Sequence, residues 1–196
     1  MNPLPNESLQ RLFTEARSFS AWLPNAVSAE TLQAVYDLMK WGPTSANSCP
    51  ARFVFVREGP KKEQLISCLA KGNVEKVKTA PVTVIIAQDD RFYDQLPKLF
   101  AHAPAMKALF AADEALAAAT AFRNSSLQGA YFMLAARALG LDCGPMSGFD
   151  NAKLDGLFFA GTTWKSNFIC SLGYGDRTKL HPRLSRLSFT EACRVV

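Results

Sequence analysis

The sequence has few of the residues from which metal centres and disulfide frameworks are built. It contains two histidines, and no two of its five cysteines, at positions 49, 68, 143, 170 and 193, stand closer than nineteen residues apart. Neither a CxxC pair nor a zinc-ligand spacing is present. We therefore predict free thiols in a reducing compartment and no metal site.

The sequence also lacks a targeting segment and a long apolar run. Its first ten residues, MNPLPNESLQ, are polar and contain neither the basic nor the apolar region of a signal peptide. The longest apolar run, residues 81–87, is far shorter than the roughly 20 residues that span a bilayer. We expect a soluble, cytoplasmic protein.

Charged residues are scarce, at 20% of the chain, and the net charge is +5. The densest basic stretch, Lys71–Lys78, also contains Glu75 and no interleaved aromatic residue, which argues against nucleic-acid binding. A mild positive charge suits a phosphorylated cofactor equally well. The low charge content fits either a surface hidden in a partner or a well-packed monomer, and the length fits one domain, 1–196.

Hydrophobic periodicity predicts an α+β fold in which a small, mostly antiparallel sheet is flanked by helices. Helices are predicted after the caps Asn6, Ser28 and Asp150, and the alanine-rich segment 113–139 is predicted to be a long central helix. The second helix should bury Leu32, Val35, Tyr36 and Met39. The other predicted elements are strands at 52–57, 81–87 and 168–172, a helix at 60–69, a mobile lid of short helices at 91–112, a turn at 143–149 and a short capped helix from Ser188.

The polar loop after the second helix is the first candidate for chemistry. Residues 41–50 read WGPTSANSCP, in which Thr44, Ser45 and Asn47 offer hydroxyls, an amide and backbone N–H groups in close succession. Such a loop can hydrogen-bond a heterocycle while a flat ring approaches the backbone. An ordinary Pro/Ser/Asn turn has the same composition, so the loop alone leaves both interpretations open.

Four collinear segments together resemble the nitroreductase family, over residues 9–194. Residues 43–50 resemble the family's Pro-Ser-(Ser/Ala)-x-Asn-x-Gln-Pro signature, and residues 17–22, RSFSAW, resemble its Arg-Ser-Ile-Arg-x-Phe. Residues 144–150, GPMSGFD, resemble the segment that ends Glu-Gly-Phe-Asp, and residues 186–191, RLSFTE, resemble Arg-x-Pro-Leu-Glu-Glu. The resemblance implies a nitroreductase-like fold and a homodimer that exchanges its C-terminal arm, the segment after Gly175.

The resemblance also implies FMN as a tightly bound cofactor at sites across the dimer interface. Arg17 and Arg186 would hold the phosphate, because guanidinium groups bind phosphate bidentately; a solvated surface arginine is the alternative for each. Asn73 would contact the flavin pyrimidine, or would merely end a helix. The implied cofactor-binding residues are Arg17, Ser18, Ser20, Pro43, Thr44, Ser45, Asn47, Asn73, Pro145, Met146, Ser147, Gly148, Arg183 and Arg186, of which residues 43–47 would contact the flavin of the neighbouring subunit.

The sequence departs from the family pattern at four positions. Ser20 replaces a basic residue that faces the flavin N1–C2 edge, Ser147 replaces a glutamate, and Cys49 replaces a glutamine. Leu184 stands where many members have lysine, and Arg183 can substitute for that charge. These changes bear on how the reduced flavin is stabilised.

The implied activity is that of an FMN-dependent oxidoreductase with NADPH or NADH as the donor. The flavin carries the hydride, so no catalytic residue of the protein is assigned. No GxGxxG follows a strand, so a Rossmann site is not expected. The sequences of residues 39–52 and 122–128 resemble those of the HadB/RutE-type subgroup. This resemblance implies reduction of malonic semialdehyde to 3-hydroxypropanoate in pyrimidine degradation. A broad nitroreductase, quinone or enal reductase and a flavin-binding protein without turnover are the alternatives.

Overall fold

A computed structural model of the chain describes residues 2–196. In these residues one antiparallel sheet has the order β1-β2-β4-β3, with β1 at Ala51–Val56, β2 at Val82–Asp89, β3 at Asp142–Met146 and β4 at Trp164–Gly173. The α-helices are α1 (Asn6–Leu9), α2 (Ala29–Met39), α3 (Pro60–Ile66), α4 (Val74–Lys78), α5 (Leu96–Leu99), α6 (Ala105–Ala112), α7 (Glu114–Ala138), α8 (Asn151–Phe158) and α9 (Phe189–Ala192). The predicted α+β class with an antiparallel sheet is confirmed.

Strand β2 lies inside the sheet and is buried along its whole length. Side chains alternate across a strand, so Val84 and Ile86 pack toward α2 and α7, whereas Ile85 and Ala87 join the opposite cluster with α3 and α8 residues. Both faces of the sheet are therefore covered by helices, as the continuous apolar run predicts.

Helix α7 is the central helix, and it begins and ends where the sequence places it. Asp113 accepts a hydrogen bond from the Leu116 N–H at 2.9 Å, and Gly140 follows the last turn with φ of 89°. The helix lies close to the sheet at Gly129, where an added Cβ would stand 2.5 Å from the Phe168 ring. The alanine-rich sequence is thus a packing surface.

The predicted caps give three outcomes. Ser28 accepts from the Thr31 N–H at 3.1 Å and Asp150 from the Lys153 N–H at 3.0 Å, which confirms both caps. The prediction for Asn6 is wrong, because Asn6 is the first residue of α1 and Pro5 precedes it without a side-chain bond.

The predicted burial of Tyr36 is also wrong. Its side chain is 44% exposed on α2, where its ring is edge-on to the Phe53 ring.

The turn predicted at 143–149 is wrong, since its first half is strand β3. A proline has no N–H to donate, but β3 is an edge strand, where a missing donor is tolerated. Gly144 is required there because an added Cβ would stand 2.3 Å from the backbone oxygen of Phe19. The N-terminal segment lies alongside β3 at this point, with Ser18 and Cys143 in a parallel bridge, and local turn preferences do not reveal this tertiary contact.

Element boundaries differ from the predictions by a few residues, and the short helices at 92–112 are present. Beyond Leu180 every residue to Val196 is exposed. No helix within residues 2–196 combines the length and apolarity that crossing a membrane requires.

Candidate functional site

The loop of residues 43–50 joins α2 to β1 and has an unusual backbone. Ala46, Asn47 and Cys49 have φ angles of 51°, 47° and 41°, in the left-handed region that non-glycine residues seldom occupy. Such conformations are strained and persist where the surroundings enforce them, typically at ligand sites. The loop is therefore more than the ordinary turn that its composition would allow.

Two side chains of α7 hold this loop in place. The Asn124 Oδ1 accepts from the Ser45 N–H at 2.8 Å, and the Gln128 Oε1 accepts from the Ala51 N–H at 2.9 Å. Both side chains are buried, at 2% and 5% exposure. Inside the loop, the Thr44 hydroxyl accepts from the Cys49 N–H at 3.2 Å. The loop is thus fixed from behind, while Ser45 and Asn47 remain exposed.

The other predicted site segments gather around β3. The Phe19 N–H donates to the Cys143 oxygen at 3.0 Å, so Ser18 and the exposed Ser20 lie beside that strand. The Asn73 amide donates to the Gly148 oxygen at 3.0 Å, where β3 has ended. Two segments 75 residues apart in sequence therefore meet at Gly148.

A cleft of about 920 Å³ collects the predicted arginines. Arg17, Arg183 and Arg186 line it together with Arg137 from the last turn of α7. The other lining residues are Phe13, Thr14, Ala16, Ser18, His181, Pro182 and Leu184. We call this feature the arginine cleft.

Reciprocal hydrogen bonds tie the two walls of the arginine cleft together. Arg17 donates to the His181 oxygen at 2.5 Å, and Arg183 donates to the Ala16 oxygen at 2.9 Å. Arg186 donates to the oxygens of Leu184 and Ser185, within its own segment. The N-terminal and C-terminal parts of the chain thereby form one concave surface.

The charge of the arginine cleft has no counterpart among the described residues. None of its lining residues is acidic, and none of its four arginines lies within 4.0 Å of a carboxylate oxygen in residues 2–196. Phosphate oxygens accept paired hydrogen bonds from such guanidinium forks. The residues present fit an anionic group of the phosphate type.

The predicted site residues form two groups. The first comprises the arginine cleft, Ser18, Ser20, Asn73 and residues 145–148; the second is the 43–47 part of the loop. No hydrogen bond joins the groups in the described part of the chain. None of the fourteen residues is buried.

Sequence reasoning missed Asn124, Gln128 and Arg137. Asn124 and Gln128 stand four residues apart, hence on one face of the predicted central helix. That spacing was the available signal. Arg137 gives no such signal, because an arginine in a last helical turn is ordinarily explained by the helix dipole.

Curated proteins of similar sequence extend over this whole chain. One from Ralstonia nicotianae, named "Putative NADH dehydrogenase/NAD(P)H nitroreductase RSc1004", is 56% identical over 196 residues and 100% of both chains. One from Ralstonia pickettii, whose name ends in HadB, is 56% identical over 188 residues, 95% of this chain and 96% of the other.

Solved structures share the fold. A crystal structure from Exiguobacterium sibiricum 255-15, described as a "putative nitroreductase in complex with FMN", superposes with a TM-score of 0.87 at 20% identity, covering 100% of both chains. The model of the nitroreductase family matches residues 13–174 of this chain. The chain therefore belongs to the nitroreductase family.

Proposed function

We propose that the protein is an FMN-dependent NAD(P)H oxidoreductase that reduces malonic semialdehyde to 3-hydroxypropanoate in pyrimidine degradation. The observation that supports FMN as the cofactor is the arginine cleft, which is lined by four arginines and by no acidic residue. The FMN named for the structure from Exiguobacterium sibiricum supports the same cofactor.

In this proposal the chain's residues bind and orient the flavin. Arg17, Arg183 and Arg186 would hold its phosphate, with Ser18 adding a hydroxyl or its N–H. Residues 145–148 and Asn73 would border the ring, and their hydrogen bond at Gly148 supports that grouping. Ser20 contributes no charge to the flavin edge, so backbone groups of this region would have to stabilise it.

The second half of the site would come from a second copy of the chain in a homodimer. The loop of residues 43–47 is not hydrogen-bonded to the arginine cleft within residues 2–196, yet it is fixed and partly exposed. Apolar side chains also stand uncovered, among them Leu184 at 80%, Phe189 at 66% and Phe122 at 57%. Light scattering that gave a stable mass of 21.5 kDa would contradict the dimer.

The chemistry requires little from the protein beyond binding. When bound, FMN would supply hydride transfer from NAD(P)H to the carbonyl carbon of the acceptor, which also takes up a proton. The chain's side chains would position the donor, the acceptor and the ring; no nucleophile or general acid is assigned.

The choice of malonic semialdehyde rests on the subgroup resemblance of the segments at 39–52 and 122–128 and on the relative named HadB. The runner-up is a broad NAD(P)H nitroreductase, quinone or enal reductase, which the names of the relatives favour. A flavin-binding protein without turnover is the non-enzymatic alternative.

Absorption spectroscopy of the purified protein is the first test. We expect a yellow protein with flavin bands, and a colourless protein that cannot be reconstituted with FMN would refute the proposal. Steady-state assays with malonic semialdehyde, a nitroaromatic and a quinone then separate the activities. Turnover confined to the last two acceptors would favour the runner-up, and no NAD(P)H oxidation with any acceptor would leave a binding protein.

A further inference from the structure

Arg137 is a partly buried arginine with an unsatisfied donor. Its Nη1 donates to the Leu12 oxygen at 3.1 Å, whereas its Nε is out of contact with solvent and has no acceptor. A guanidinium group has five N–H donors. An orphaned buried donor costs about 1–3 kcal/mol, so an arginine held purely for structure would be expected to satisfy it.

Arg52 shows what a structural arginine in this fold looks like. Its Nη1 donates to the oxygens of Cys49 and Ala51, and its Nη2 pairs with the Asp89 carboxylate at 2.6 Å. Its charge is paired with an acid, and its guanidinium makes three hydrogen bonds. Arg137 has neither the acid nor the second carbonyl.

Two cavities meet at Arg137, and they differ in charge. The smaller, of about 260 Å³, is lined by Glu7, Glu15 and Asp142 as well as by Arg11 and Arg177. None of those carboxylates is within 4.0 Å of Arg137 in the described chain, and Asp142 accepts from the Gly175 N–H at 3.0 Å. The other cavity is the arginine cleft, which has no acid.

We infer that Arg137 is a further anion-binding residue of the arginine cleft, where it contacts the phosphate group of the flavin nucleotide from the side of the central helix. This assignment rests on the proposed function. An arginine on α7 differs from Arg183 and Arg186 in being anchored to the buried core, so it offers a preorganised donor beside two donors on an exposed segment.

The test compares FMN with riboflavin, which has the same ring and ribityl chain but no phosphate. Dissociation constants for both ligands are measured by flavin fluorescence for the wild-type protein, Arg137→Gln and Arg137→Lys. We expect Arg137→Gln to reduce the preference for FMN over riboflavin about ten- to a hundredfold and Arg137→Lys to restore part of it, since lysine keeps the charge but not the fork.

Arg57→Gln is the matched control. Arg57 also donates to a distant backbone oxygen, that of Val27 at 3.1 Å, but it lies outside the arginine cleft. We expect its preference for FMN to equal that of the wild type. If Arg137 merely clamps Leu12, Arg137→Gln would weaken FMN and riboflavin equally, and that result would overturn the inference.

The outcomes separate this inference from the proposed function. A wild-type protein that binds neither flavin refutes both, whereas a wild-type protein that prefers FMN and an Arg137→Gln variant with the same preference refute the role of Arg137 alone. Should Arg137→Gln fail to fold, Arg137→Lys decides, because an FMN preference as strong as that of the wild type would contradict a bidentate phosphate contact.

Discussion

The core and the C-terminal segment of this chain differ in how far their side chains are buried. Strand β2 is buried at every position, and α7 packs over it with ten buried residues. Residues 181–196 have none, although they contain Leu184, Leu187 and Phe189 and a complete capping box at Ser188. Both regions thus contain apolar side chains and helix-start signals, but only the core buries its apolar side chains.

The difference has consequences for the arginine cleft, which lies where the two regions meet. Arg137 belongs to the packed helix, whereas Arg183 and Arg186 belong to the exposed segment. A four-residue helix such as α9 is marginal in water without packing, so the segment needs an external contact to fix it. A bound anion and a second copy of the chain are the two contacts that the proposed function supplies.

The largest contrast is expected for two phenylalanines. Phe132 is 1% exposed and stacks on Phe53 at 5.5 Å, so Phe132→Ala should lower the free energy of unfolding by about 3–5 kcal/mol. Phe189→Ala, at 66% exposure, should change it by less than about 0.5 kcal/mol in a dilute sample. Urea unfolding followed by circular dichroism measures both.

The protein concentration sharpens this comparison. If Phe189→Ala lowered the free energy of unfolding more at higher protein concentration, the C-terminal segment would pack on a second chain. A large loss that is independent of concentration would break the contrast, because Phe189 would then belong to the core of its own chain.

Arg186→Ala is expected to weaken flavin binding without destabilising the core. Hydrogen bonds to a charged group contribute roughly 1.5–3 kcal/mol, which corresponds to a loss of about ten- to a hundredfold in FMN affinity. Arg186 bonds within its own segment, so unfolding should be unchanged. FMN content and oligomeric state are measured on one sample; a dimeric variant that retains FMN as tightly as the wild type would exclude the phosphate role.

Two glycines probe how tightly the N-terminal segment is fixed on the core. Gly144→Ala should cost about 1–3 kcal/mol, because the new Cβ would stand 2.3 Å from the backbone oxygen of Phe19. Gly156→Ala in α8 meets nothing within 4 Å and should stabilise by roughly 0.5–1 kcal/mol. Thermal unfolding of both variants gives the sign of each change in stability. Equal signs would show that the N-terminal segment is packed loosely beside β3.

The smallest expected contrast is between two helix caps. Ser28→Ala removes the acceptor of the Thr31 N–H and should cost about 1 kcal/mol, because α2 is part of the core. Ser188→Ala removes a hydroxyl that donates to the Glu191 carboxylate at 2.7 Å, yet it should leave global unfolding unchanged, since every residue of α9 is exposed within residues 2–196. A measurable loss for Ser188→Ala in dilute samples would show that the segment is part of the cooperative unit.

Much of the fold could be predicted from the sequence because its signals are local. The caps at Ser28 and Asp150 act over three residues. The apolar run of β2 indicates that both faces of this strand are buried. The prediction failed at β3, where a Gly-Pro pair that favours a turn lies on a strand that is flanked by the N-terminal segment. This contact joins residues far apart in sequence, and no local preference encodes it.

The candidate site divides in the same way. The motif residues could be named from the sequence, since each motif is short and collinear with the family pattern. The roles of Asn124 and Gln128 in holding the strained loop could not, because they depend on how closely α7 approaches that loop. The cofactor contacts of the fourteen named residues remain predictions that the flavin measurements address.

The sequence by itself determined most of the helices, the buried strand β2, the family that the chain resembles and the arginines of the motifs that could meet a phosphate. Tertiary structure alone decided that Arg137 lines the same cleft as Arg17, Arg183 and Arg186, and that none of the residues lining this cleft is acidic. The physical reason is range: caps and periodicity act within a few residues, whereas an electrostatic environment is the sum of groups that folding brings together from distant parts of the chain.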